Sequence, residues 1–232
     1  MGEELDRLLM MLNLLLSTAL AAPPDLSGDW EVVISVVSAA KIPVFGNTQI
    51  TTKTTLLAHI DGLTQQHTTC AVVPSSPLRM ITTTIPDSFV RHIPAKTYPI
   101  TVSESGHYRA DFGPQHIAYD PSKTDGQPPS EADHESVYDW DNDGNPGATI
   151  LLDTRVLGQA EVYIVQLAHT RLSGQVSSSD SFSGSLEILV MEQQSIGAKP
   201  LIFATNPELT PLSSASSFTM RRLPEGTTCA EL

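Results

Sequence analysis

Positive charge is scarce in this chain. Thirteen Lys and Arg residues stand against 26 Asp and Glu over 232 residues, a formal net charge of −13. The longest basic run is the pair Arg221-Arg222. Such a surface repels nucleic-acid phosphates and anionic headgroups, so no nucleic-acid partner is expected. Cysteine is almost missing: Cys70 and Cys229 stand far apart, with no CxxC pair. The seven histidines form neither HxH nor HExxH, which argues against a zinc site. No G-x-S-x-G elbow occurs, and SFSGS (Ser181–Ser185) does not match one. Glu104, Asp111 and Asp153 are carboxylates whose spacing does not require a catalytic pair. Together these gaps point away from an enzyme. Internal repeats and domain linkers are lacking as well, so residues 22–232 read as a single domain.

What is present begins with an apolar run, Leu8 to Leu20, that ends in Ala19-Leu20-Ala21 and is followed by prolines. It is short for a bilayer span and matches a cleaved export signal over residues 1–21, although Glu3, Glu4 and Asp6 oppose the usual positive start. The expected location is secreted, or periplasmic and cell-envelope, with no transmembrane segment in the mature chain. In an oxidising compartment two cysteines with no third predict one disulfide, Cys70 to Cys229; two unrelated buried thiols are the alternative.

Beyond the signal, short Thr-, Val- and Ile-rich segments alternate with Gly, Pro, Asn and Asp breakers. Period-two patterning of this kind predicts an all-β fold: an antiparallel up-and-down barrel of about 8–10 strands, or a β-sandwich. One piece, DSFVRHI, reads as helical, with Asp87 as N-cap and Pro94 as stop. One stretch, residues 119–147, is rich in Pro, Asp, Glu and Ser and reads as a long acidic loop insertion.

Inside that insertion lies DWDNDGNPG, Asp139 to Gly147. Asp139, Asp141 and Asp143 alternate, Gly144 follows where the chain must turn, and Asn145 can offer its backbone carbonyl. The pattern resembles the opening half of an EF-hand-type loop and the DxDNDG loops of extracellular calcium repeats, which makes Ca2+ the expected metal. It departs at position 12, where Ile150 replaces the bidentate glutamate, so Asp153, Asp133 or Glu135 would have to supply a further carboxylate. The competing reading is an Asx-rich turn whose aspartates bond their own backbone.

The stretch LSGDW, with a G-x-W triplet opening the first strand, resembles the lipocalin signature. That resemblance implies a barrel whose base is closed by Trp30, with Arg221 or Arg222 of the last strand over its indole, and a tail cysteine tied to a strand. The two ends of the chain carry the likeness. The chain is also similar to a group of secreted bacterial proteins that share an SGxW strand, an acidic D-x-DGxPG loop, a strand like QAEVYIVQ and a GTTC tail; that likeness brings no activity with it. Two functions are compatible with these features. One is a secreted, non-enzymatic barrel that binds a small apolar or amphipathic ligand. The other is a calcium-rigidified envelope or surface interaction module whose barrel is filled by side chains.

Overall fold

The computed structural model describes residues 23–42, 46–78, 80–155 and 157–232. The expected export signal lies outside the described residues. Eleven strands run in order: β1 (Gly28–Ile42), β2 (Gly46–Asp61), β3 (Thr64–Ser75), β4 (Ile81–Thr84), β5 (Lys96–Val102), β6 (His107–Ile117), β7 (Ala148–Thr154), β8 (Gly158–Gln175), β9 (Ser181–Lys199), β10 (Glu208–Pro211) and β11 (Ser217–Arg222). The α-helix among the described residues is α1, Asp87–Arg91. Its N-cap is Pro86 rather than Asp87. The extended backbone at Pro86 makes Asp87 the first helical residue, where its carboxylate favours the positive end of the helix dipole.

All strand pairs are antiparallel, and eight strands close a ring in chain order: β1, β2, β3, β5, β6, β8, β9, β11 and back to β1. This is the expected up-and-down connectivity. The ring is not evenly round, and its plan is consistent with either a barrel or a sandwich. The other three strands are accounted for by length. β1, β2, β8 and β9 have 15, 16, 18 and 19 residues, whereas β5 and β11 have 7 and 6. The long strands therefore outrun their neighbours. β7 takes the vacated edge of β8 from Gly158 to Ile164, β4 adds to β7, and β10 pairs the far end of β1. The molecule thus has a lower half at the Gly28 end and an upper half at the Ile42 end.

The lower half is filled by alternating inward residues. Trp30, Val32 and Ile34 of β1 meet Leu56, Ala58 and Ile60 of β2, Tyr108 of β6, Leu172 of β8, Phe182 of β9, and Phe218 and Met220 of β11. Phe182 makes edge contacts with Trp30, Tyr108 and Phe218, with ring centroids 5.2–6.1 Å apart. The polar groups of this interior bond one another. Tyr108 donates to Gln65 Oε1 at 2.7 Å, Gln65 donates to the Tyr98 hydroxyl at 2.8 Å, and that hydroxyl lies 2.7 Å from His67 Nδ1. Satisfied in this way, Gln65 and His67 stay buried without the cost of an unmade hydrogen bond.

At the base, the Arg222 guanidinium stands 4.4 Å over the ring of Trp30, which is 0% exposed. It donates to the carbonyls of Ser179 and Ser27. Gly28 is required beside it: its φ is 122°, and a Cβ there would fall 2.9 Å from Arg222 Nη1. Alternation turns Arg221 the other way, into an ion pair with Glu31 at 2.8 Å.

Cys70 and Cys229 are bonded, with Cα atoms 5.1 Å apart. The register of β2 with β3 steps from Thr55↔Ala71 to Leu56↔Thr69, so Cys70 is the extra residue of a β-bulge. A bulge releases its residue from the ladder and re-aims the side chain, here to meet the returning tail.

Candidate metal centre

The acidic insertion is packed, not loose. Ala118, Tyr119 and Trp140 join Phe89 and Ile93 around α1, Ile150 of β7, and Ile164 and Val165 of β8 in a second core. Trp140, flanked by two of the aspartates, is buried and donates its indole N–H to the Phe89 carbonyl at 3.0 Å. Asn142, in the left-handed region at φ 57°, places its side chain 2.9 Å from His92 Nε2 just past α1. The loop closes on itself: Trp140 N donates to Gly147 O, and Gly147 N to Tyr138 O. Gly147 has φ 84°, and a Cβ there would lie 2.7 Å from the Ile164 carbonyl oxygen, so only glycine lets the loop dock on β8.

That frame brings the three aspartates together. Carboxylate oxygens of Asp139, Asp141 and Asp143 all lie within 4.8 Å of one another, a cluster that could hold a metal ion. Some of their oxygens also serve the turn. Asp139 accepts from the backbone N–H groups of Asp143 and Gly144, and Asp143 accepts from Asn145 N and the Thr149 hydroxyl. Asp141 differs. It is 5% exposed; its Oδ2 accepts from Thr149 N at 3.2 Å, and its buried Oδ1 has no hydrogen-bond partner. Burial, and then repulsion from Asp143 and Asp139, raise its pKa. At Asp143 burial opposes the charge, but Thr149, Asn145 and the nearby Lys199 outweigh it and lower the pKa. One carboxylate of the cluster is therefore held where its charge is least welcome, the condition that a bound cation relieves.

The side-chain oxygen of Asn145 accepts from Lys199 Nζ at 2.8 Å, which leaves its backbone carbonyl as the group expected to face a metal. Asp133, Glu135 and Asp153 are not part of the cluster. Ile150 is buried in the second core, which is why position 12 of the loop carries no carboxylate. Trp140, Thr149 and Lys199 went unread in the sequence. Trp140 did carry a signal, since an aromatic inside so polar a loop needs a burial site.

His67 faces the interior, whereas His59 and His169 lie outside, 2.7 Å from Asp29 and Asp111 respectively. Comparison with protein families, curated proteins and solved structures finds no match. No helix among the described residues is long and apolar enough to cross a membrane. The disulfide suggests an extracellular or periplasmic environment.

Proposed function

We propose that this protein is an exported binding module, not an enzyme, whose acidic insertion is held in shape by Ca2+ at Asp139, Asp141 and Asp143. The observation that carries this reading is the unpartnered, buried Oδ1 of Asp141 beside two further carboxylates. Hard carboxylate oxygens suit a hard cation. Carboxylate oxygens within 4.8 Å of one another can share one cation, and calcium accepts an irregular oxygen shell more readily than magnesium, which demands near-octahedral geometry. Backbone carbonyls and water would complete the coordination.

Of the two roles compatible with the sequence, packing favours the interaction module. Where the ring closes, Trp30, Tyr108, Phe182 and Phe218 occupy the place a small apolar ligand would take. The chain-ordered ring and the Arg222–Trp30 stack support a lipocalin-like plan for the scaffold. On this reading the scaffold is inert and the insertion presents the working surface.

The test is calorimetric melting in millimolar Ca2+, in Mg2+ and in chelator, on the wild type and on Asp141→Asn. Calcium at about ten times an extracellular-type Kd contributes about 1.4 kcal/mol, a rise in Tm of about 3–5 °C for a chain this long. Magnesium should give less. Asp141→Asn should remove the calcium increment and, by deleting the repelled charge, melt no lower than wild type in chelator. A wild-type Tm indifferent to Ca2+ would leave the loop as an Asx turn.

A further inference from the structure

Beside the metal loop lies an open groove of about 540 Å³, lined by the start of β5, the far end of β6 and both flanks of the insertion. Two irregularities of the backbone shape it. The register of β6 with β8 breaks between Asp111 and Pro114, which turns Pro114 to His116 toward the insertion. Ala118 is buried and left-handed at φ 65°, a conformation that costs a non-glycine residue about 1–2 kcal/mol. Its carbonyl accepts from Tyr138 N, so this residue joins the two walls.

The chemistry of the groove departs from that of the whole surface. On a chain with 26 acidic and 13 basic residues, this one groove sets two lysines, Lys96 and Lys123, against two acidic residues, Asp120 and Glu135. Hydrogen bonds from Ser122, helped by Lys123, lower the Asp120 pKa. Neither lysine makes an ion pair among the described residues; each is held by a main-chain carbonyl instead, Lys96 by Pro114 O at 2.9 Å and Lys123 by Glu135 O at 3.3 Å. A carbonyl fixes an ammonium in place without neutralising it, and leaves it two further N–H donors. The groove also holds Asp120, whose carboxylate is turned onto the N–H and hydroxyl of Ser122. Tyr138, 45% exposed, offers an aromatic face, and the His116 ring stands edge-on to Tyr119 at 5.4 Å.

We propose that this groove binds a small organic carboxylate, with its anionic end at Lys96 and Lys123 and its apolar body against Tyr138. Ammonium donors fixed by main-chain carbonyls beside an aromatic face are what such a ligand needs, and the volume accepts a molecule of one or two rings. The site stands on residues outside the metal cluster, so its failure and the failure of calcium binding are separate results.

The experiment is amide chemical-shift mapping of the full chain, titrated with benzoate and glucuronate, their neutral counterparts benzamide and glucose, and inorganic phosphate, each up to about 20 mM. At least one carboxylate should shift groove amides saturably, and its neutral counterpart should bind about tenfold more weakly or not at all. Lys123→Gln, at an exposed position, and Lys96→Gln should each weaken binding about tenfold, and Tyr138→Ala should weaken the carboxylate but not phosphate. Three results would each overturn the proposal: no groove shift with either carboxylate, equal binding of the neutral counterpart, or binding unchanged in Lys123→Gln. Since Lys123 is exposed, its variant keeps the test decisive if Lys96→Gln does not fold.

Discussion

Below the bulge at Cys70, the ring is closed by strand ladders around buried Trp30, Tyr108, Phe182, Phe218 and their neighbours. Above it, β3 departs from its lower partner β5, and α1, β4 and the acidic insertion occupy the interval to β7. The upper part of β2, Gly46–Thr55, has no buried position, whereas its lower part buries Leu56, Ala58 and Ile60. One half therefore owes its shape to a continuous sheet and a dense interior. The other owes it to a loop pinned by Trp140 and an acidic cluster that could hold a metal ion. Both halves share four unbroken strands, yet their stability has different sources. Local opening should follow that division, since segments with fewer buried apolar contacts open at lower free energy.

The contrast breaks most visibly at the two tryptophans. Trp30→Ala should cost about 3–5 kcal/mol and lower the unfolding midpoint by every probe, because the lower core holds the whole ring. Trp140→Ala should cost a similar amount locally. Native-state hydrogen exchange should rise across the insertion and α1 while β1, β2 and β11 keep their protection below the bulge. Equal loss of protection in both halves would mean that they form a single cooperative unit.

A second test uses acid. Burial, with Lys96 as a smaller contributor, pushes the His67 pKa down to about 4 from 6.5. Between those values the unfolded chain takes up a proton that the folded chain refuses. Stability is therefore complete above pH 6.5 and falls as the pH drops toward 4, by about 3 kcal/mol in total. Denaturant midpoints measured from pH 7 to 4 should show this slope in wild type. His67→Leu, with Gln65 still bonded to the Tyr98 hydroxyl, should flatten it. The same slope in both proteins would assign the acid sensitivity to another group.

The smallest expected effect separates two adjacent arginines. Arg221→Ala removes an exposed pair with Glu31 and should change stability by less than about 1 kcal/mol. Arg222→Ala uncovers Trp30 and should cost more than its neighbour. Paired urea titrations compare them directly; equal costs would deny the base stack its part in closing the ring.

The lower half was the legible half. Alternation in WEVVISVVS and its like depends on local period, and a closed antiparallel sheet follows from it. The disulfide followed from a count of two, and the aspartate cluster from spacing along nine residues. Which arginine covers Trp30 depended on register, which the pattern left open. The insertion read as a loop, and its packing stayed illegible for a physical reason. It is poor in aliphatic residues, and polarity marks a loop, but its core is built from Tyr119, Trp140 and partners contributed by α1, β7 and β8. The groove was illegible for the same reason, since Lys96 and Lys123 are separated by the whole of β6 and meet only after folding.

The bond between Cys70 and Cys229 spans 159 residues, and the entire insertion lies within that span. A protease that cuts the chain anywhere between the two cysteines leaves both pieces covalently joined, because residues before Cys70 and after the cut remain linked through sulfur. A cut within the insertion, which lies wholly between the two cysteines, thus releases nothing. Nicked protein should migrate as one species until it is reduced, and its two fragments need never find each other again in order to stay a pair.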